Sequence, residues 1–422
     1  MSAQDTTQND WMQTIGSFNP LDPAFRLDPY PVYRRMLKEQ PVYLTPFGVY
    51  TFARYDDCLA ILRDHRRWSS DEGRSPNYES ERHAFRAMLG PDAELIDDRD
   101  RPFLFLDPPD HTRLRRLVNL AFTPRAVEAL RPRIQKIVDS LLDTLAGAGN
   151  MDVIADLAYP LPVIVICEML GVPPEDQATF KVWSAELARS LEPTITLPPE
   201  SMRRRVHASK ESRDYFRGLV ADRRKHLGSD ILSALIAAEE EGDKLSEEEL
   251  LSTCSLLLVA GHETTVNLIG NAILQLVRHA HQLEMLRAQP SLVSGAVEEV
   301  LRYDPPVQFD RRLALEDIEI GGVRVAEGQF VILLLGAANR DPAHFPDPDR
   351  FDITRNDDRH LSFGQGIHYC LGAPLARMEG AVALVTLTRR FRDFEITADS
   401  LKYKEQIIIR GLQSLPIRFK VA

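Results

Sequence analysis

FGQGIHYCLG, residues 363–372, sets Cys370 two residues after His368, between glycines and behind the aromatic Phe363. So little side chain surrounds this sulfur that backbone can approach closely whatever the sulfur binds. Cys58, Cys167 and Cys254 lie far away in the sequence and no C-x-x-C occurs, so neither a disulfide frame nor a zinc knuckle is expected. An important thiol in this chain acts alone. A free cysteine can also be no more than a small buried hydrophobe, so the loop needs a partner feature before it points to chemistry.

That feature is the stretch from about Ser246 to Ala280. SEEE at 246–249 reads as a capping box, Ser246 capping and Glu249 answering it. The following LLSTCSLLLVAGHETTVNLIGNAILQLVRHA is apolar on nearly every side, and about 34 helical residues would span roughly 50 Å. AGHETT (260–265) interrupts it with Gly, His, Glu and two Thr. Burying those groups costs free energy unless they are paired. Thr264 can bond back to the carbonyl four residues earlier, near Ala260, and bend the helix there. The expected product is a small polar notch in an apolar wall, or no more than a tolerated kink. HETTV (262–266) begins like the zinc motif H-E-x-x-H, but Val266 stands where the second histidine belongs. Grouping His360, His368 and Cys370 as a zinc site matches no known ligand spacing.

Bulk properties limit the alternatives. A chain of 422 residues, 44% hydrophobic and 8% aromatic, can build a large core. Net charge −11 argues against bulk nucleic-acid binding. No run approaches the roughly 18 apolar residues of a membrane span, and the polar N-terminus carries no signal pattern. A cytoplasmic, monomeric protein with no membrane partner is expected.

Periodicity at three and four residues predicts amphipathic helices at 32–40, 56–64, 125–146 and 292–303. Strand signals fall near residue 45, over 318–335, and in EQIIIRG and LPIRFKV near the end. Residues 69–110 and 192–206 read as long loops, a length that suggests lids or binding loops. The fold class is therefore mainly α with a minor β region. One domain is expected over 25–422, behind an N-terminal extension, 1–24.

A lone thiolate and a notched helix bearing an acid and an alcohol are what a haem oxygenase places on opposite faces of its porphyrin, the thiolate favouring cleavage of the O–O bond. FGQGIHYCLG resembles the F-x-x-G-x-[HR]-x-C-x-G signature of the cytochrome P450 superfamily, the haem-thiolate monooxygenases. AGHETT resembles that family's oxygen-activating segment, EVLR (299–302) its E-x-x-R helix, and FPDPDRF (345–351) the stretch supplying a second arginine. DPPDHTRLRRLV (107–118) and RRLALEDIEIGG (311–322) resemble its two propionate-binding segments. These stretches occur in the family's order, from about residue 25 onward. The resemblance implies the P450 fold, roughly a dozen helices around a buried haem plus small β-sheets.

It also implies roles. Cys370 would ligate the iron of haem b, held without thioether links, with Phe363 shielding the sulfur and Ala260 and Gly372 against the cofactor. His111, Arg115, Arg312 and His368 would meet the propionates, which need cationic or donor partners when buried. Whether Arg311 or Arg312 faces inward stays open. Glu299, Arg302 and Arg350 would form a structural ion-pair network behind the thiolate loop. Glu263 and Thr264 would relay protons to the activated oxygen while bulk water is kept out. Relatives that use hydrogen peroxide carry Arg-Pro in place of this pair, so dioxygen and external electrons are implied.

No flavin or iron–sulfur segment is recognisable, so electrons are expected from a ferredoxin or flavodoxin with its NAD(P)H reductase. Arg113, Arg115, Arg116, Arg125, Arg131, Arg133 and Lys136 would steer an acidic partner, although a basic stretch can also be a solvated helix face. The substrate is expected to be an apolar small molecule, hydroxylated or epoxidised. It would meet the loops 69–106 and 192–206, Leu256, Val259 and Ala260, Pro306 to Phe309, and the turn at Ile408. MRRRVHASK (202–210) could meet a carboxylate, an acyl carrier or only solvent. The text is most similar to bacterial macrolide and fatty-acyl oxidisers, which does not choose a substrate. A non-catalytic haem sensor or carrier remains the alternative; it would need the thiolate but not Glu263 and Thr264.

Overall fold

The computed structural model describes residues 18–193, 197–240, 242–355 and 357–422. Residues 1–17 of the expected N-terminal extension, and 194–196 of the expected second loop, lie outside the described residues.

Helices dominate. The principal ones are α1 (Tyr30–Glu39), α2 (Tyr55–Arg63), α3 (Tyr78–Leu89), α4 (Asp110–Ala121), α5 (Arg131–Asp143), α6 (Pro160–Met169), α7 (Gln177–Leu187), α8 (Pro199–Lys225), α9 (Glu247–Arg278), α10 (Val293–Tyr303) and α11 (Ala373–Arg390). Eight strands form two small sheets: β1 (Val42–Leu44), β2 (Tyr50–Phe52), β3 (Trp68–Ser69), β4 (Asn150–Asp152), β5 (Phe309–Ala314), β6 (Phe330–Leu334), β7 (Phe391–Ile396) and β8 (Pro416–Val421). The larger sheet has the order β1-β2-β6-β5-β3 and the smaller β7-β8-β4. Only the β2–β6 pair is parallel within them; the other pairs are antiparallel.

The α9 helix forms as the capping box predicts. Ser246 accepts from the Glu249 amide at 3.3 Å, and Glu249 accepts from the Ser246 amide at 2.8 Å. The helix threads between two apolar cores. Leu250 to Val259 pack with α4, α6, α7 and α8, whereas Val266 to Leu276 pack with α5, α10, α11 and β8. AGHETT lies on the boundary between them.

Several sequence expectations need correction. The helix expected over 125–146 breaks at Leu130 into Pro124–Ala129 and α5. Pro132 has no amide hydrogen to continue the ladder but suits the first turn of a new helix. The loop expected over 69–110 contains α3, a mostly exposed helix with only Leu89 fully buried. Arg82 and Arg86 tie that helix to Asp98 at 2.6 and 2.8 Å. The loop expected over 192–206 ends at Pro198, because Pro199 opens α8. EQIIIRG is not a strand; Ile409 makes only an isolated bridge to Val307.

Candidate active site

Cys370 lies at the N-terminal end of α11. Its amide donates to the Phe363 carbonyl at 2.8 Å, closing the loop on itself. Gly366 makes the tight path possible: φ is +69°, and a Cβ there would come within 2.6 Å of the Leu62 carbonyl oxygen. Burial pushes the Cys370 thiol up, but the Gly372 and Ala373 amides and the Arg115 and Arg377 charges oppose that. Those donors, with the positive end of the helix dipole, favour a thiolate. Cys58, Cys167 and Cys254 are fully buried, and burial raises each thiol. The sequence argument that one thiol stands apart therefore has a structural counterpart.

Beside this loop, four basic side chains converge. His111 from α4 and His368 from the loop stand with ring centroids 4.2 Å apart. Neither ring nitrogen of His111, nor Nε2 of His368, has a hydrogen-bond partner in the protein, although all three are buried. Burial, then Arg115, lowers His111 to about 4. Burial lowers His368 to about 2, and Arg312, His111 and Arg115 push the same way. Buried donors left unpaired cost free energy, and their common electrostatic demand is for anions. Arg115 also donates to the Tyr369 carbonyl at 2.7 Å. Strand alternation in β5 turns the neighbouring arginines to opposite faces. Arg312 is buried and donates to Asp310 at 2.6 Å, whereas the half-exposed Arg311 pairs with Glu72. A thiol among backbone donors beside unpaired buried imidazoles and arginines fits a haem with two propionates.

A network that sequence reasoning missed supports the same loop. Glu298 accepts from Arg377 at 2.6 and 2.9 Å and meets His360 Nε2 at 2.9 Å. Arg377 lies 4.5 Å over the Phe363 ring and donates to the Tyr369 hydroxyl at 3.1 Å. Burial would raise Glu298, but His360 and Arg377 outweigh it and hold the carboxyl at about 2. His360 therefore serves this pair, and among the described residues no cluster suited to a metal ion occurs. Behind it, Arg302 is fully buried and clamps Glu299 with two 2.8 Å bonds. The expected third member, Arg350, is wrong. Its side chain is 66% exposed and pairs with Asp352, while Arg355 stands 3.3 Å from Glu299. Arg355 lies four residues beyond FPDPDRF, outside the stretch from which the second arginine was read.

The expected notch on α9 is present. Thr264 Oγ1 donates to the Ala260 carbonyl at 2.9 Å. Ala260 is exposed, and Gly261 and Thr264 are half-exposed, on a helix otherwise buried from Leu250 to Leu276. Glu263 is buried and forms an ion pair with Lys404, which also donates to Asn267 Oδ1 at 3.2 Å. His262 turns the other way: its Nδ1 meets Ser184 Oγ at 2.6 Å, and its ring packs edge-on to Tyr159.

Part of the expected substrate-contacting set also comes together. Gln308 donates its amide to the Ile408 carbonyl at 2.8 Å, and Arg410 to Pro306 at 2.7 Å. Glu192, which the sequence did not single out, receives the amides of Ile407 and Ile408 at 2.8 and 3.1 Å. Leu256 and Val259 are buried within the α4–α8 core. Phe309 is buried and packs edge-on to Phe18 at 5.8 Å, in a core cluster against which Ile407 and Ile408 also pack.

Comparison with known proteins agrees with this geometry. The family model for Cytochrome P450 matches residues 82–420. Cytochrome P450 CYP107DY1 of Priestia megaterium is 48% identical over 75% of this chain and 76% of its own length. The 6-deoxyerythronolide B hydroxylase of Saccharopolyspora erythraea is 40% identical over 94% of this chain and 97% of its own. A solved structure of P450BioI in complex with hexadec-9Z-enoic acid ligated acyl carrier protein superposes with a TM-score of 0.84. Its identity is 39%, covering 94% of this chain and 99% of that one.

Proposed function

This chain belongs to the cytochrome P450 family and is a monooxygenase, and from that premise we propose which residues carry the chemistry. Cys370 would ligate the iron of a non-covalently held haem b, with Phe363, Gly372 and Ala260 against the cofactor. When bound, the haem supplies dioxygen activation and insertion of one oxygen atom. His111, Arg115, Arg312 and His368 bind and orient the propionates. The observation that carries this reading is the cluster of buried, unpartnered imidazole nitrogens, with Arg115 and Arg312 acting on them, beside the Cys370 thiol and its backbone donors.

On the α9 side, Thr264 holds a hydroxyl at the exposed turn and Glu263 holds a carboxylate behind it. Together they move protons from the Lys404 side toward the reaction site. The apolar walls around them exclude bulk water. A sensor or carrier would have no use for this pair. The expected result for Thr264→Ala is intact haem and substrate binding, with oxygen consumption diverted to hydrogen peroxide. Full coupling of electrons to product in that variant would remove Thr264 from the relay.

Electrons come from a ferredoxin or flavodoxin served by an NAD(P)H reductase. Support comes from exposed Tyr369, next to Cys370 in the chain, and from exposed Leu120 and Arg125 at and just beyond the end of α4. Arg113, Arg131 and Arg133 are occupied by Glu249, Glu128 and Glu168 and contribute less free charge. Reduction by such a partner should slow with rising salt and in Arg125→Glu; insensitivity to both would place the docking face elsewhere. The substrate is an apolar small molecule.

A further inference from the structure

The basic run MRRRVHASK lies within α8 rather than beside a loop. Arg203 and His207 face Asp92 at 3.8 and 3.3 Å, Arg204 meets Glu186 at 3.1 Å, and Lys210 meets Asp214 at 2.5 Å. Those residues form a solvated, ion-paired helix face. The next arginine along the helix, Arg213, is 3% exposed. Its Nη1 stands 2.9 Å from Asp100 Oδ1 and donates to Ser252 Oγ at 3.2 Å. Its Nη2 donates to Glu248 Oε2 at 2.5 Å and to Asp97 Oδ2 at 3.2 Å. Ser252 in turn donates to Asp100 at 2.7 Å. Glu248 and Ser252 belong to the first turns of α9, whereas Asp97 and Asp100 belong to the segment that joins α3 to α4.

Little else holds that segment. From Gly90 to Pro102 no residue is buried, although Leu89 before it and Phe103 after it are. Ala93, Leu95 and Ile96 pack partly on the cluster of Leu89, Met202 and Val206. DDRDR (97–101) then sets five charges in a row. Asp98 meets Arg82 and Arg86, Arg99 meets Asp97 and Glu248 at 2.9 and 3.0 Å, and Arg101 meets Asp71 at 2.7 Å. Solvent reaches at least one partner in each of those pairs, so each contributes little. Arg213 is the exception, a buried fork that ties the segment to α8 and α9 at once. Without it, Asp97, Asp100 and Glu248 would face one another as like charges, relieved by the exposed Arg99. The segment leads straight into the site: the Phe103 ring stands 6.3 Å from that of His111 and 5.9 Å from the Arg115 guanidinium.

We propose that Arg213 is the latch of an electrostatically closed strap, residues 97–102, which opens and admits apolar ligand when the guanidinium leaves Asp97 and Asp100. Closure then weakens as ionic strength rises. The latch stands on the ion pairs themselves; its part in ligand entry rests on the monooxygenase reading.

The test is hydrogen exchange on the haem-loaded protein, with tryptic cutting at Arg99 and Arg101 as a second measure of opening. Stopped-flow binding of 4-phenylimidazole, an apolar probe whose ring nitrogen can coordinate haem iron, reads entry. In Arg213→Gln, strap exchange and cutting should accelerate by about tenfold or more, with α10 and α11 amides within about twofold of wild type. Association and dissociation of the probe should quicken together, leaving its dissociation constant within about threefold. Arg213→Lys should fall between, because it keeps the charge without the fork. Asp97→Asn keeps the buried cation paired and should move the strap the same way by a smaller factor. Raising sodium chloride from about 50 to about 500 mM should open the wild-type strap by about threefold. Unchanged strap exchange in both Arg213→Gln and Asp97→Asn, or an equal rise in α10 and α11, overturns the latch. A strap that opens while the probe's rates stay put overturns its part in entry. Haem content and the carbon-monoxide spectrum of the same samples report separately on the monooxygenase reading.

Discussion

Lys404 donates to the Glu263 carboxylate, so the acid in the middle of α9 is held by a segment 141 residues further along the chain. Glu263 is 4% exposed. A carboxylate taken this far from water persists only if a cation or donors accompany it. Lys404 is one-fifth exposed and links the carboxylate to the surface. Gly411 lets that segment come close, since any side chain there would collide with Asn267, which also receives Lys404.

Lys404→Met should therefore leave Glu263 without its cation. The expected result is a stability loss of roughly 2–4 kcal/mol and about a tenfold lower rate of product formation, with substrate-induced spectral change retained. Lys404→Arg should keep most of both. Denaturant titration and product assays on the two variants check this. Wild-type rates in Lys404→Met would show that the pair is only structural.

The Glu299 clamp yields a sharper contrast between two nearby arginines. Arg355 stands 3.3 Å from Glu299 and also donates to the Pro346, Asp347 and Arg350 carbonyls at 2.7, 3.2 and 3.3 Å. Arg355→Ala should lose roughly 2 kcal/mol or more and incorporate less haem. Arg350→Ala, removing a largely exposed partner of Asp352, should stay within about 0.5 kcal/mol of wild type. Melting temperature and haem content decide between them. Equal effects would return Arg350 to the network.

What the sequence could disclose here was local. The capping box, the Thr264 back-bond and the glycines around Cys370 each depend on neighbours within a few residues, so spacing reveals them. Lys404 and Glu192 act across 141 and 215 or more residues, and nothing in their own surroundings marks them. The Arg350 expectation failed because Arg355 lies beyond the stretch from which it was read, and only the loop's folded path decides which arginine turns inward. The α3 helix stayed hidden because it is mostly exposed: only Phe85 and Leu89 pack toward Met202 and Val206 of α8, and ion pairs from Arg82 and Arg86 to Asp98 complete its hold.

Glu298 makes stability depend on pH in a known direction. Its carboxyl is held at about 2 against an ordinary 4.5, with His360 and Arg377 outweighing burial. A depressed acid contributes fully above its unfolded value and loses that contribution as pH falls through the folded one. The gap in unfolding free energy between wild type and Glu298→Gln should thus be roughly 3 kcal/mol at neutral pH. It should stay constant down to about pH 4.5 and narrow below it. A gap that stayed unchanged down to about pH 2 would show that the charge on Glu298 contributes nothing to stability.

Glu192 offers the last case, a carboxylate used as a clasp. It is 5% exposed and receives the amides of Ile407, Ile408 and Ile409 at 2.8, 3.1 and 3.4 Å. These amides belong to the turn that Gln308 and Val307 grip from the other side. Glu192→Ala strands consecutive, partly to fully buried donors, each costing up to about 1–3 kcal/mol when unpaired. Stability should fall by roughly 2–4 kcal/mol. The turn should also loosen, raising the dissociation constant of a bound substrate by about tenfold with the turnover number less affected. Glu192→Gln keeps one acceptor oxygen and should fall between the two. Unchanged substrate affinity in Glu192→Ala, with stability lost, would make the clasp a staple of the fold and remove it from substrate binding.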